Sequence, residues 1–157
     1  MAMTGWGTRK KGFVHGFTLL ELMIALGVAA IIATFAIPAY RSHAAKAHRM
    51  EAAAALYRAA QFVESARIGE TAGGGAPAAL PSGVDQAPGS GTAVYRLRLR
   101  AESATNGGYA IEAEPVSQGA MQDDACGIFI IDATGTRANR AGAELGASEA
   151  AACWSSR

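Results

Sequence analysis

Two kinds of hydrophobic pattern divide the chain. From Phe17 to Tyr40 it reads FTLLELMIALGVAAIIATFAIPAY, apolar on every side, with Glu21 as its one charge. A bilayer core of ~30 Å needs about 20 apolar residues as a helix, so this run is long enough to cross. From Arg41 polar residues return, and no glycine or proline interrupts the chain before Gly69. Ala53, Leu56, Tyr57, Ala60 and Val63 recur at helical spacing, while Glu51, Arg58 and Ser65 fall on another side. Together these stretches predict one helix from Phe17 to Arg67, roughly 77 Å long at ~1.5 Å per residue. Its second half is amphipathic and needs a sheet to cover it.

Gly69 to Gly91 is different material, with glycines and prolines throughout and only Leu80 and Val84 as strong apolar residues, so it reads as a surface loop. Three strands are predicted after it. Ala93–Ala101 alternates, with Tyr95, Leu97 and Leu99 on one face and Arg96, Arg98 and Arg100 on the other. Tyr109–Pro115 alternates as well, with Ile111 against Glu112 and Glu114. Asn106-Gly107-Gly108 between them is a turn signal. A hairpin centred on Asn106 would set Arg100 opposite Glu112 and Arg98 opposite Glu114, giving a solvated, charge-balanced sheet face. Gly127–Asp132 is nearly continuous in apolar residues and is expected to be central or covered on both faces. The tail beyond Thr136 offers little to order it except Cys153 and Trp154.

Composition trims this picture. Half of the 157 residues count as hydrophobic, but 37 of them are alanine, which says little about burial. The 17% charged residues and a net charge of +1 exclude a disordered chain and argue against a nucleic-acid binder that works through bulk charge. Arg9, Lys10 and Lys11 precede the apolar run, and no acid comes before Glu21. A basic head before an apolar run is a membrane-targeting arrangement, and it places the N-terminus on the cytoplasmic side with the rest exported. An ordinary secretory signal, cut near Ala36 or Ala39, is the alternative. The run is too long for its apolar region, and a carboxylate within the run is costly unless it has a partner.

The string Gly16-Phe17-Thr18-Leu19-Leu20-Glu21 resembles the cleavage and methylation motif of type IV prepilins, and the likeness continues through Pro38 and Tyr40. Where that family often has glycine, this chain has Ala30, and Gly27 is the one glycine of the run. The resemblance implies a leader of residues 1–16 removed between Gly16 and Phe17, N-methylation of Phe17, assembly through Glu21 and a helix kink at Pro38. It also implies an α+β, pilin-like fold: a helix, transmembrane over 17–40 and amphipathic over 41–68, packed on a small antiparallel sheet within a head of residues 69–157. Glu21 would neutralise the terminal amine of a neighbouring subunit, since buried charges need partners.

Cys126 and Cys153, followed by Trp154, are similar to the C-terminal disulfide region of small PilE-type minor pilins, as is the segment from His48 to Glu64. In an oxidising compartment the two cysteines are expected to bond, restricting the unfolded chain by about 3–4 kcal/mol. No catalytic residue, cofactor or metal is implied; His43 and His48 read as helix-surface residues. The function that follows is a minor pilin of a type IV pilus, serving pilus biogenesis, twitching motility and adhesion. It would reside in the inner membrane with its head in the periplasm, then in the extracellular pilus. Its partners would be other pilins, the prepilin peptidase and N-methyltransferase, and the pilus assembly machinery. Two alternatives stand beside it. A type II secretion pseudopilin would use acidic residues such as Asp123, Asp124 and Asp132 for calcium. A DNA-uptake pilin would use Arg96, Arg98 and Arg100, but the facing glutamates leave a nucleic-acid partner unsupported.

Overall fold

Thr18 starts the first helix. In the computed structural model, which describes residues 16–69, 77–101 and 103–155, its hydroxyl accepts the backbone N–H of Glu21 at 3.2 Å and so caps α1 (Leu19–Gly69). The basic leader, the glycine-rich stretch 70–76 and Glu102 lie outside the described residues. Pro38 is inside α1, and the helix is assigned on both sides of it. Contacts divide the molecule into two units, one up to Ala39 and one from Tyr40 on.

In the first unit almost nothing is covered. Phe17 is 81% exposed and Phe35 75%, and the leucines and isoleucines between them are more than half exposed. The most apolar window of α1 averages a hydropathy of 2.4, and none of it is buried.

The second unit is a six-stranded antiparallel meander with the later part of α1 across one face. The strands are β1 (Gln86–Ala87), β2 (Tyr95–Arg100), β3 (Ala110–Pro115), β4 (Ile128–Asp132), β5 (Arg137–Ala141) and β6 (Ala143–Glu144), adjacent in chain order. A short helix, α2 (Ala147–Cys153), follows. Ala52, Ala55, Leu56, Ala59 and Val63 of α1 share a core with Tyr95, Leu97, Ile111, Phe129 and Ile131. Three of the five helix positions are alanine, so the sheet approaches the helix closely with no side-chain entropy lost there. The expected stripe is therefore rotated: Tyr57 is 47% exposed, and Ala52, Ala55 and Ala59 face the sheet.

Three further expectations change. The β2–β3 register is shifted by two residues, with Arg98 opposite Glu112 and Arg96 opposite Glu114. This register sets Ile111 against Leu99 and Ala113 against Leu97, pairing apolar side chains on the core face. The wider loop is closed by Asn106, whose Oδ1 accepts the N–H groups of Ser103 and Gly108 while its Nδ2 donates to the Ala101 carbonyl. β4 is central, as expected, with Phe129 and Ile131 buried and Ile128 and Ile130 on its other face half-buried. Gly127 belongs to a turn rather than to that strand. Its φ of +53° and the nearness of the Arg140 carbonyl to where a Cβ would sit both require glycine. Part of the expected loop is ordered, since β1 pairs with β2 and Leu80 and Val84 pack on the core.

If the alanines set the helix–sheet distance, Ala59→Leu should lower stability by about 1–3 kcal/mol through overpacking. Ala54→Leu, on the exposed side of the same turns, should change it by no more than ~0.5 kcal/mol. Denaturant titration of the full chain in detergent, followed by near-UV circular dichroism, measures both.

Candidate functional site

Gly16, Phe17, Glu21 and Pro38 belong to the first unit, and Cys126 and Cys153 to the second. Gly16 and Phe17 precede the helix, and Glu21 lies in the first turn of α1. Thr18-Leu19-Leu20-Glu21 has the spacing of a capping box, a signal the sequence reading passed over. The structure supplies its first half, the Thr18 hydroxyl on the Glu21 N–H.

In the head, Cys126 and Cys153 form a disulfide with 5.7 Å between their Cα atoms. A buried residue that the tail's composition did not announce, Asn139, organises the ground around it. Its Nδ2 donates to the Cys126 carbonyl at 2.9 Å, and its Oδ1 accepts the Trp154 indole N–H at 2.6 Å. Trp154 also meets Phe129 and Tyr57 edge to face, at 5.3 and 6.3 Å between centroids. Thus one asparagine of β5 joins the disulfide to Trp154, which in turn meets the helix spine at Tyr57. RANRA carries no strand signal, because its inward residue is polar and its outward ones are small or charged.

Arg49 of α1 holds the segment ahead of Cys126. Its Nε donates to both carboxylate oxygens of Asp124, at 3.2 and 3.1 Å, and Asp124 Oδ2 also accepts the Cys126 N–H. Asp124, one of the acids considered for calcium, is thereby committed to structure. Among the described residues no group of three or more potential metal ligands occurs. The buried Tyr95 hydroxyl finds no partner there, and burial, then the Asp124 charge, push it well above the ordinary tyrosine range.

On the outer face of the sheet, Arg96, Arg98 and Arg100 stand in a row. Arg100 bonds Glu112 at 2.9 Å and Arg98 approaches Glu114 at 3.5 Å. The two expected ion pairs therefore form, but diagonally across the shifted register. Glu112 is not solvated as expected: it is 8% exposed, because Arg140 reaches across β4 to its second oxygen at 3.0 Å. Burial pushes its carboxyl up, yet the hydrogen bonds and charges of Arg100 and Arg140 outweigh that and hold it below its ordinary value.

A long helix with an uncovered apolar start, running into an antiparallel meander with a C-terminal disulfide, defines the pilin class of fold. Residues 38–130 match the family described as "Type IV minor pilin ComP, DNA uptake sequence receptor", and residues 14–37 match the prokaryotic N-terminal methylation motif. The chain belongs to the type IV minor pilin family, whose members are structural filament subunits. A solved type IV pilin from Shewanella oneidensis is similar over 59% of this chain and 89% of its own, at 22% identity and a TM-score of 0.42.

Two outcomes follow for the head. Asn139→Ala leaves the Trp154 N–H and the Cys126 carbonyl without their partner and should lower stability by roughly 1–3 kcal/mol for each orphaned group, read by denaturant titration. Glu112 stabilises the fold fully above its ordinary carboxyl value of 4.5 and loses that contribution as pH falls through its lower folded value. Glu112→Gln should therefore flatten the acid limb of a stability–pH curve; an unchanged limb would assign it to other carboxylates.

Proposed function

We propose that this chain is a mechanical subunit, cut between Gly16 and Phe17, methylated on Phe17, held in the cytoplasmic membrane by the first unit of α1 and passed from there into a type IV filament. The observation that carries this is the exposure of the first unit. Phe17, Leu20, Ile24, Ile31 and Phe35 are each at least 60% exposed, an arrangement that water does not tolerate and that lipid or packed helices cover. Cleavage creates an α-amine at Phe17, and Glu21 is the one charge in the run that follows. In an apolar bundle that amine needs an anion, so the Glu21 carboxylate of an adjoining subunit selects cleaved chains. Pro38, which lacks an N–H, is where the helix would bend in the filament. Pilus biogenesis, and through it twitching motility and adhesion, are the processes such a subunit serves.

Glu21→Ala should leave membrane insertion intact, because the run becomes more apolar. It should deplete the protein from sheared pili, because an unpaired buried amine costs about 3–5 kcal/mol. The readout is the amount in pili relative to the membrane fraction, and an unaltered ratio sinks the charge-pairing account.

A second reading, that the head binds DNA, draws support from the matched family's description as a DNA uptake sequence receptor. It also draws on the side chains of Arg96, Arg98 and Arg100, which are 55%, 64% and 55% exposed along one strand. Each is paired with an acid, so phosphates would have to compete for it. Replacing all three by glutamine should weaken duplex binding and reduce its logarithmic salt slope by ~0.9 per arginine engaged. Equal affinity and slope in the variant would remove this face from the account.

A further inference from the structure

Of the five arginines on the sheet strands, four pair with carboxylates: Arg96 with Asp85, Arg98 with Glu114, and Arg100 and Arg140 with Glu112. Arg137 has no such partner among the described residues. It lies instead over the Trp154 ring, 5.7 Å from the centroid. Both line a groove of about 510 Å³ between the β4–β5 turn and α2, with Gly135, Thr136, Ala147 and Ala151 among its other walls. That volume falls within the range of small-ligand sites. The small walls leave room, and the tryptophan is already immobilised by Asn139, Phe129 and Tyr57, so ordering it on binding has little entropy to lose.

We propose, resting on the DNA-binding reading above, that this groove is a nucleotide subsite which takes one unpaired base of a DNA strand on the Trp154 face that Arg137 now covers, the guanidinium moving off the ring to hold the phosphate. The chemistry favours this occupant on two counts. A cation without a counter-ion among the described residues selects an anion, and a fixed indole selects a planar ring. A nucleotide carries both at short separation, and sequence-tolerant strand binding uses this combination of aromatic stacking and arginine. An acidic side chain would satisfy Arg137 but leave the indole wall unmatched. The groove is separate from the β2 arginine row, so it adds single-strand or frayed-end capture to duplex contact.

The test uses the full chain in detergent carrying Trp6→Phe, which leaves Trp154 as the one tryptophan. Titration with short oligo-dT should quench and saturate Trp154 emission. Arg137→Gln should weaken that binding, and Ala151→Glu, on the exposed surface of α2, should obstruct and repel the strand without touching the core. The expected loss is between about fivefold and a hundredfold, with blunt-duplex binding by the β2 face unchanged. If the duplex binds but oligo-dT leaves the emission unmoved, or both variants keep wild-type oligo-dT affinity, the subsite is refuted and the duplex reading survives. If neither nucleic acid binds the parent protein, both fall. Quenching by polyglutamate but not by oligo-dT overturns the proposal in favour of an acidic protein segment.

Discussion

An apolar helix segment that the rest of the described residues do not cover is the constraint on which the structure depends. Leaving a large aliphatic or aromatic side chain in water forfeits about 1.5–3 kcal/mol, and this protein does so at one position after another from Phe17 to Ile37. The segment therefore exists for an environment made by something else, first lipid and then other helices. Within either, the Glu21 carboxylate and the amine that the proposed cleavage would make are tolerable only together. Membership in the type IV minor pilin family places that physical demand in a filament.

The head answers a different demand, which is to hold a six-stranded sheet on a helix with few large side chains. Alanine at positions 52, 55 and 59 permits close approach, and the aromatic set Tyr95, Phe129 and Trp154 fills what remains. Two polar centres then lock the C-terminal region. Arg49 ties the helix to Asp124 just ahead of one cysteine, and Asn139 ties β5 to Cys126 and to the tryptophan that follows the other. The disulfide joins segments that these hydrogen bonds already orient. The outer face is organised by charge, with Glu112 drawn out of solvent between arginines from two strands.

Much of this was legible in the residues. The second half of the long helix and the alternation along β2 and β3 follow from hydrophobic period, because each has one face that must be buried, while the first half of the helix and β4 show as unbroken apolar runs. What escaped was decided by groups that carry no period. β5 is written in alanine, asparagine and arginine and α2 mostly in alanine, and only Asn139's partners in space reveal why RANRA is a strand. The β2–β3 register was missed by two residues, because a slip of two keeps every side chain on its face and leaves the pattern silent. Opposite charges named the right ion pairs but the wrong rungs, since arginine is long enough to reach diagonally. In the first unit the motif was readable and the Thr18 cap was not, although threonine and glutamate at that spacing announce it.

The measurement that tests the central claim most directly is the mass of the N-terminal peptide of the protein recovered from membranes. The account predicts a chain that begins at Phe17, with one methyl group on its amine and Glu21 as its fifth residue. A chain that begins near Ala36 or Ala39, with the apolar segment removed, would contradict it.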